Sequence, residues 1–180
     1  MKAVGILGAV SSKPPKRATI SRWMGPIIFA VGFWFLHIAM PHHLSLLTHH
    51  QGWAQDRPGR WNLLGLIWVV AGIACIVWAM LGHIVQAPKG WEWERTPKYL
   101  LRRAPYTFTR NPIYLAELAL WLGWAIFYGS IAVFLGFLVA WLAFHFFVVP
   151  WEERTLEARF GEACCEYRSK VPRWFGKIGS

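Results

Sequence analysis

Acidic residues and cysteines are scarce in this sequence, and each shortage excludes a class of protein. The chain has 180 residues, of which 9 are Asp or Glu, 19 are Lys or Arg and 3 are Cys. Cys75 lies in an apolar run and Cys164 is adjacent to Cys165. The cysteines therefore form neither a disulfide framework nor the paired spacing of a zinc site. We expect reduced, structural thiols and no bound metal.

Apolar and aromatic residues, in contrast, are abundant. Hydrophobic residues make up 56% of the chain, 13 residues are Trp, and the mean hydropathy is +0.33. Such a composition excludes an ordinary soluble domain. The net charge of +10 could indicate nucleic acid, but the basic residues fall in blocks between apolar runs and form no continuous cationic face. We predict a single membrane domain whose partner is the lipid bilayer, not nucleic acid.

Three apolar runs, at 24–47, 61–85 and 112–150, define the predicted spans. The third run would measure about 58 Å as one straight helix, nearly twice the roughly 30 Å of a hydrocarbon core. It must fold back, and its only strong turn signal is YGS at 128–130. The sequence therefore predicts an all-α, integral membrane four-helix bundle.

The distribution of Lys and Arg predicts the orientation. Almost all of them lie before the first run, between the second and third runs, or after Pro150, and only Arg57 and Arg60 lie on the other side. By the positive-inside rule, both termini face the cytosol, and we expect a bacterial-type inner membrane. The predicted segments are a cytosolic tail at 1–23 rather than a cleaved signal peptide, two spans in 24–85, a cytosolic loop at 86–111, a transmembrane hairpin at 112–150 and a cytosolic C-terminal helix and tail at 151–180.

The C-terminal segment has the pattern of an amphipathic helix. Its apolar residues recur at steps of three or four positions, while arginines and glutamates fill the other faces. Such a helix lies along the membrane surface or caps the bundle. The stripe consists of Leu156, Phe160, Cys164, Tyr167 and Val171, and Pro172 ends the helix.

Two adjacent acids, Glu152 and Glu153, follow the third apolar run. Acidic side chains at a helix start interact favourably with the helix dipole, and that role alone explains the two glutamates. Alternatively, at least one of them turns inward at the cytosolic rim and binds a cationic or hydroxyl-rich ligand. Because neighbouring residues of a helix point about 100° apart, both cannot face the same way.

The stretch RRAPYTFTRNPIYLAE, at 102–117, carries a second concentration of polar residues. Pro105 and Pro112 hold the residues before them extended, which shapes a loop leading into a helix. Exposed amides at that helix start, beside Arg110, suit a carboxylate or a phosphate. The alternative is that the prolines merely start a membrane helix and the arginines bind lipid headgroups.

Within the third run, Tyr114, Glu117 and Trp121 fall on one face of a helix. Glu117 is a candidate functional residue because a carboxylate inside a membrane is costly. His145 is a lone histidine in a span, as is His37 in the first run, and both are expected to be hydrogen-bonded structural residues.

The stretch HHLSLLTHH, at 42–50, is the other concentration of histidines. It suggests metal ligands, but it lies on the face opposite to the other polar clusters and has few nearby carboxylates. A non-enzymatic metal- or haem-handling membrane protein is therefore an alternative. Its ligands would be His37, His42, His43, His49 and His50.

Two stretches together resemble a known family. PYTFTRNPIYLAELALWLGWAIFYGS and VVPWEERTLEARFGEACCEYRSKVPRW are similar to the C-terminal core of the isoprenylcysteine carboxyl methyltransferase and phospholipid methyltransferase superfamily of integral membrane enzymes. The resemblance runs from about residue 102 to residue 174. In that family S-adenosylmethionine is held at the cytosolic side between the two motifs, and a lipophilic acceptor arrives through the bilayer.

The resemblance implies which residues contact the cofactor. The first motif supplies the arginine, asparagine, proline and tyrosine of its loop, and the second motif supplies its paired glutamates. Tyr106, Tyr167 and Arg173 are weaker extensions of this set. The implied contacts are Arg110, Asn111, Pro112, Tyr114, Glu152, Glu153, Tyr106 and Tyr167.

The sequence departs from the family pattern in three places. Asn111 stands where many members have histidine, and asparagine there is familiar from phosphatidylethanolamine methylation. Ala104 and Ala116 stand where glycine is common. Phe147 stands where a basic residue often precedes the glutamates, which argues against an acceptor that is itself a carboxylate.

The resemblance implies methyl transfer to a phospholipid amine or to an isoprenoid or prenylcysteine-like acceptor. An amine must be neutral to attack, so Glu117 or His145 is predicted to take its proton. Arg103, Trp121 and Arg173 are predicted to contact the acceptor. An NADPH-dependent reductase of the sterol reductase type is an alternative, although no additional nucleotide-binding element is visible. The oligomeric state is left open.

Overall fold

The computed structural model describes residues 30–86 and 99–175, and this part of the chain is mostly helical, as predicted. Helix α1 covers 30–45 and includes a π-helical segment at Phe35–Ala39. A two-stranded antiparallel ribbon and four further helices follow. They are β1 (Trp53–Ala54), β2 (Arg57–Pro58), α2 (Arg60–Gln86), α3 (Pro112–Tyr128), α4 (Ile131–Phe160) and α5 (Glu162–Lys170).

The predicted fold-back of the third apolar run is confirmed. Helix α3 ends at Tyr128, Gly129 has a φ of 58°, and the Ser130 side chain accepts a hydrogen bond from the first turn of α4. Glycine is required at the turn because its conformation is left-handed and because a Cβ there would lie 2.0 Å from the Gln51 carbonyl oxygen. The turn therefore places α3 and α4 side by side.

Small residues let α2 and α3 approach closely. A Cβ on Gly65 would lie 2.3 Å from the Gly123 carbonyl oxygen, and one on Gly72 would lie 2.8 Å from that of Ala116. Close backbone approach of this kind is typical of helix pairs in membranes, where dispersion contacts replace the hydrophobic effect. The contact fixes α3, and with it the start of the helix at Pro112, against α2.

Helices α1 and α4 each contain a π-helical segment that ends two residues before a proline. In α4 the segment is Phe144–Val148, and Pro150 follows it after one residue. The Val149 amide donates a hydrogen bond to the Phe144 carbonyl and so closes the wide turn. A proline in a regular helix loses one backbone bond and its ring meets the carbonyl four residues earlier, so a wider turn accommodates it. The helix consequently continues through the boundary that we expected at Pro150 and ends at Phe160.

The C-terminal apolar stripe is divided between two helices. Gly161, with a φ of 53°, separates α4 from α5, so the single amphipathic helix expected over 151–171 is not formed. The stripe nevertheless packs inward, since Cys164 and Val171 are buried. Helix α5 ends at Lys170, next to the Val-Pro pair that was predicted to stop it.

Two helices, α2 and α4, are long and apolar enough to cross a membrane, and α3 is apolar but shorter. Apolar side chains of α2 such as Ile67 and Val70 are exposed, as expected of a lipid-facing surface. The start of the first predicted span, the N-terminal tail and residues 87–98 of the predicted cytosolic loop lie outside the described residues. The four-helix count and the orientation of the termini stay predictions.

The histidine-rich stretch lies at the same end of the molecule as the turn between α3 and α4. His42 and His50 pack against the ring of Tyr128, and Trp53 donates a hydrogen bond to the Phe127 carbonyl at 2.8 Å. Within residues 30–86 and 99–175, no three His, Cys, Asp or Glu side chains come together as metal ligands would. The predicted structural role of His37 is consistent with its 3.1 Å hydrogen bond to the Phe33 carbonyl.

Candidate functional site

A cavity of about 330 Å³ lies at the opposite end, where α2, the loop before α3 and the helices α3, α4 and α5 meet. Its size falls in the range of small-molecule sites in proteins. The wall combines polar and aromatic side chains from segments far apart in sequence. It is formed by His83, Tyr99, Leu100, Leu101, Tyr106, Arg110, Asn111, Pro112, Ile113, Tyr114, Glu117, Glu152, Leu156 and Tyr167.

The loop before α3 is bound to the C-terminal segment by hydrogen bonds to backbone carbonyl groups. The Arg110 amide donates to the Pro172 carbonyl at 3.0 Å. The Thr109 hydroxyl and the Asn111 side-chain amide both donate to the Arg173 carbonyl, at 3.0 and 2.9 Å. The first motif is therefore held in shape by Pro172 and Arg173, at the C-terminal end of the second stretch.

Helix α5 closes one side of the cavity. The Tyr167 hydroxyl donates to the Tyr106 carbonyl at 2.7 Å, and the Arg102 guanidinium donates to the Ala163 carbonyl at 2.6 Å. Burial raises the pKa of Tyr167 to about 12, so this hydroxyl stays protonated as a donor at neutral pH. These bonds fix two of the cavity tyrosines relative to each other.

Glu152 faces the cavity. Its Oε2 accepts a hydrogen bond of 2.8 Å from the hydroxyl of Tyr114, which lies in the first turn of α3. The carboxylate is half-buried and keeps further acceptor capacity, because a carboxylate can accept about four hydrogen bonds. The bond from Tyr114 holds the carboxylate at the cavity wall.

Glu153 points away from the cavity and into a cluster of arginines. It is 8% exposed, and its Oε1 lies 2.8 Å from Arg110 Nη1 and 3.1 Å from Arg173 Nε. Arg168 approaches the same carboxylate at 4.0 Å. We call Glu153 and these three arginines the ion-pair cluster.

Arg110 belongs to both the cluster and the cavity. Burial lowers the pKa of Arg110, while Glu153 acts in the opposite direction, and a guanidinium remains charged in either case. Its Nη1 contacts Glu153 as an ion pair, but among the described residues neither Nη1 nor Nε makes a hydrogen bond of good geometry. Arg110 therefore places a positive charge in the cavity wall, which suits an anionic ligand.

The two predicted proton acceptors are separated by the structure. Glu117 lines the cavity. His145 is not part of the cavity wall: its Nδ1 accepts a hydrogen bond of 3.1 Å from Trp174, and its ring stacks on those of Trp141 and Trp174. Its position at the side of α4 that meets the C-terminal segment removes it from the candidate reacting groups.

The predicted acceptor contacts also lie outside the cavity wall. Trp121 is 6% exposed and packs in the core beside Gly136. Arg103 is exposed and its amide donates to the Gln86 side chain, whereas Arg173 belongs to the ion-pair cluster. None of the three is brought to the cavity surface.

Sequence reasoning missed two polar residues of the wall, His83 and Tyr99. Neither belongs to a motif, since His83 is near the end of α2 and Tyr99 is in the loop that follows. One signal could have found them: a polar ring at the cytosolic end of a predicted span, facing a segment already rich in tyrosine.

Fold and site together define a helical membrane protein with a polar, aromatic cavity at one end of its helices. A model of the phospholipid methyltransferase family matches residues 61–163. That range covers more than half of the chain, so the protein belongs to the phospholipid methyltransferase family, within the isoprenylcysteine and phospholipid methyltransferase superfamily. The resemblance inferred from the two motifs is confirmed, and the family indicates a methyltransferase acting on membrane lipids.

One relative is an uncharacterized protein from Haemophilus influenzae. It is 34% identical over 62 residues, which are 34% of this chain and 98% of that protein. No solved structure matches the chain. The similarity to this relative adds no information on the acceptor.

Proposed function

We propose that the protein transfers the methyl group of S-adenosylmethionine to the amine of a membrane phospholipid. The observation that carries the proposal is the cavity wall, in which a carboxylate, Glu152, and a guanidinium, Arg110, line the same space. Family membership supports the reaction class. The resemblance adds that Phe147 stands where a basic residue often precedes the glutamates, which favours an amine over a carboxylate acceptor.

The residues of the wall fit the charges of this cofactor. Its ammonium and ribose hydroxyls require hydrogen-bond acceptors and its sulfonium requires a negative charge nearby, and Glu152 supplies a carboxylate. Its carboxylate requires donors, and Arg110 supplies them beside the start of α3, where Asn111 makes no side-chain cap and leaves amides available. When bound, the cofactor supplies an electrophilic methyl group, and the protein excludes water and orients the acceptor.

The two glutamates have different roles in this proposal. Glu152 is the cofactor contact, and Tyr114 orients it. Glu153 is a positioning residue, because it touches Arg110 and Arg173 rather than the cavity. Asn111 positions the loop through its bond to the Arg173 carbonyl and lines the cavity at the same time.

We further propose that the cavity faces the cytosol of a bacterial-type inner membrane. The arginines around the cavity, Arg102, Arg103, Arg110, Arg168 and Arg173, support this orientation by the positive-inside rule. The cytosol is also where a soluble, charged cofactor can enter, while a phospholipid reaches the same cavity from the bilayer.

The proposal is tested by titrating the purified full-length protein in detergent with S-adenosylhomocysteine, using isothermal titration calorimetry. We expect binding tighter than about 1 mM, which corresponds to roughly 4 kcal/mol. Glu152→Gln should weaken it, and the matched variant of an exposed acid, Glu162→Gln, should leave it unchanged. No measurable binding by the wild-type protein, or displacement of the ligand by NADPH, would contradict the proposal and favour the reductase alternative.

A further inference from the structure

His83 is a titratable side chain of the cavity to which the proposed function gives no role. It lies in the last turn of α2, is half-buried, and shares the cavity with Glu117 and Glu152. Its Nε2 is hydrogen-bonded to the Tyr106 hydroxyl, whereas its Nδ1 makes no hydrogen bond to the described residues. An imidazole in such a position can exchange protons with a ligand in the cavity.

Two tyrosines of the loop hold the His83 ring. Its Nε2 lies 3.2 Å from the Tyr106 hydroxyl oxygen. The rings of Tyr106 and Tyr99 stand edge-on to it, at interplanar angles of 86° and 72°, and the Tyr99 hydroxyl donates to the His83 carbonyl at 3.0 Å. The imidazole therefore has a fixed direction toward Tyr106.

The chemistry of Tyr106 indicates which atom carries the proton. Burial raises the pKa of Tyr106, which is 8% exposed, so the phenol keeps its proton at neutral pH. The hydroxyl then donates to Nε2, and His83 is neutral with its proton on Nδ1. A neutral imidazole that accepts a bond at Nε2 is ready to take up a proton there.

We propose that His83, acting through the Tyr106 hydroxyl, accepts the proton that the amine acceptor must lose before it is methylated. The inference rests on the proposed function. An N–H bond of the acceptor ammonium breaks and an O–H bond forms on Tyr106, while the original Tyr106 O–H bond breaks and an N–H bond forms at Nε2. One positive charge moves from the acceptor to the imidazole, and no oxidant or reductant is needed.

The other candidates serve this purpose less well. Glu117 lines the same cavity, but no hydrogen bond among the described residues links it to Tyr106, whereas His83 Nε2 lies 3.2 Å from the Tyr106 hydroxyl oxygen. Glu152 already accepts the Tyr114 hydroxyl, and His145 is outside the cavity wall. The charged and titratable groups that share the cavity wall with His83 are Tyr99, Tyr106 and Arg110 from the loop, Tyr114 and Glu117 from α3, Glu152 from α4 and Tyr167 from α5.

The first test needs no turnover. The full-length protein, labelled with ¹⁵N-histidine in detergent micelles, is titrated by NMR, and His83→Gln identifies the His83 signals. We expect a neutral ring protonated on Nδ1 at high pH that takes up a proton within about pH 5–8. Tyr106→Phe should shift the Nε2 resonance and the midpoint. A ring that stays neutral throughout, or an Nε2 signal unchanged by Tyr106→Phe, would overturn the proposal.

The second test measures transfer of labelled methyl groups from S-adenosylmethionine to phosphatidylethanolamine in phosphatidylglycerol vesicles. His83→Gln keeps an acceptor for Tyr106 but cannot take a proton, so we expect a rate about 100-fold lower, unchanged affinity for S-adenosylhomocysteine and loss of the rise in rate with pH. His49→Gln, at the opposite end, is the control. A wild-type rate in His83→Gln overturns the proton-acceptor role, whereas absent binding by the wild type overturns the proposed function itself.

Discussion

The cavity wall and the ion-pair cluster are neighbouring regions that use adjacent residues of one helix in opposite ways. Glu152 is half-buried, meets a single neutral donor from Tyr114, and keeps free acceptor capacity. Glu153 is almost fully buried and is surrounded by Arg110, Arg168 and Arg173. The first arrangement leaves a charge available to a ligand, and the second uses a charge to hold protein segments together.

The difference follows from helix geometry. Consecutive residues point about 100° apart, so when one of the pair faces the cavity the other faces the segment behind it. Arg110 connects the regions, because it touches Glu153 and also lines the cavity. The two motifs of the family therefore meet twice in this protein, once at the cavity and once at a structural contact.

Removing the charge of Glu153 should have the largest effect. Glu153→Gln leaves three arginines without their shared carboxylate, and breaking a buried ion pair typically costs about 3 kcal/mol, or roughly 6–12 °C in Tm. Thermal unfolding in detergent, followed by tryptophan fluorescence, measures the loss. Binding of S-adenosylhomocysteine should fall as well, since Arg110 loses its support. An unchanged Tm would remove the structural role that we assign to this residue.

Removing the charge of Glu152 should instead affect binding without affecting stability. We expect Glu152→Gln to lower the affinity for S-adenosylhomocysteine by about 10–100-fold, because a hydrogen bond to a charged group contributes roughly 1.5–3 kcal/mol. Its Tm should stay within about 2 °C of the wild type. Calorimetry and thermal unfolding on the same preparations separate the two outcomes. A variant that unfolds early but binds normally would reverse the comparison.

Removing the Tyr114 hydroxyl, which donates to Glu152, should have a smaller effect on the affinity for S-adenosylhomocysteine. Tyr114→Phe keeps the ring, which packs on Phe144, but deletes the hydroxyl that orients the carboxylate. The loss of one such bond costs about 1 kcal/mol, so the affinity for S-adenosylhomocysteine should fall roughly fivefold. Equal affinity in this variant would mean that the carboxylate finds its position without Tyr114.

The exposed pair behind the cluster should contribute least. Glu157 lies one turn after Glu153 on α4 and pairs with Arg168, but its side chain is 47% exposed. Solvent screening limits such pairs to about 0.5 kcal/mol. Glu157→Gln should therefore change neither Tm nor ligand affinity measurably. A loss comparable to that of Glu153→Gln would show that the whole arginine cluster, rather than one buried carboxylate, carries the stability.

Much of the fold could be predicted from the sequence, because it follows from local signals. The length of the third apolar run required a turn, and the tyrosine, glycine and serine at 128–130 identified its place. The two motifs could be brought together for the same reason, since a hairpin returns the last part of α4, which carries Glu152 and Glu153, to the level of the residues before α3. Their resemblance to a methyltransferase core then named the family.

The remaining features depend on packing that a one-dimensional pattern does not contain. Gly161 divides the C-terminal stripe into two helices, although the stripe itself has an unbroken helical period. His145 was expected to be a hydrogen-bonded structural residue, but its partners, Trp141 and Trp174, could not be named from the sequence. The direction of Glu152 and the contribution of His83 depend on distances between elements, for which the motifs carry no information.

The π-helical segment Phe144–Val148 determines the directions in which the side chains of the rest of α4 point. It contributes one residue more than a regular helical turn, so the helix beyond it is rotated by about 100° relative to an uninterrupted α-helix started at Ile131. That rotation equals the angle between two consecutive residues. If the same residues formed a regular α-helix, Glu152 would take the direction that Glu153 now has, so which glutamate faces the cavity is decided by the turn before Pro150 as much as by the glutamates themselves.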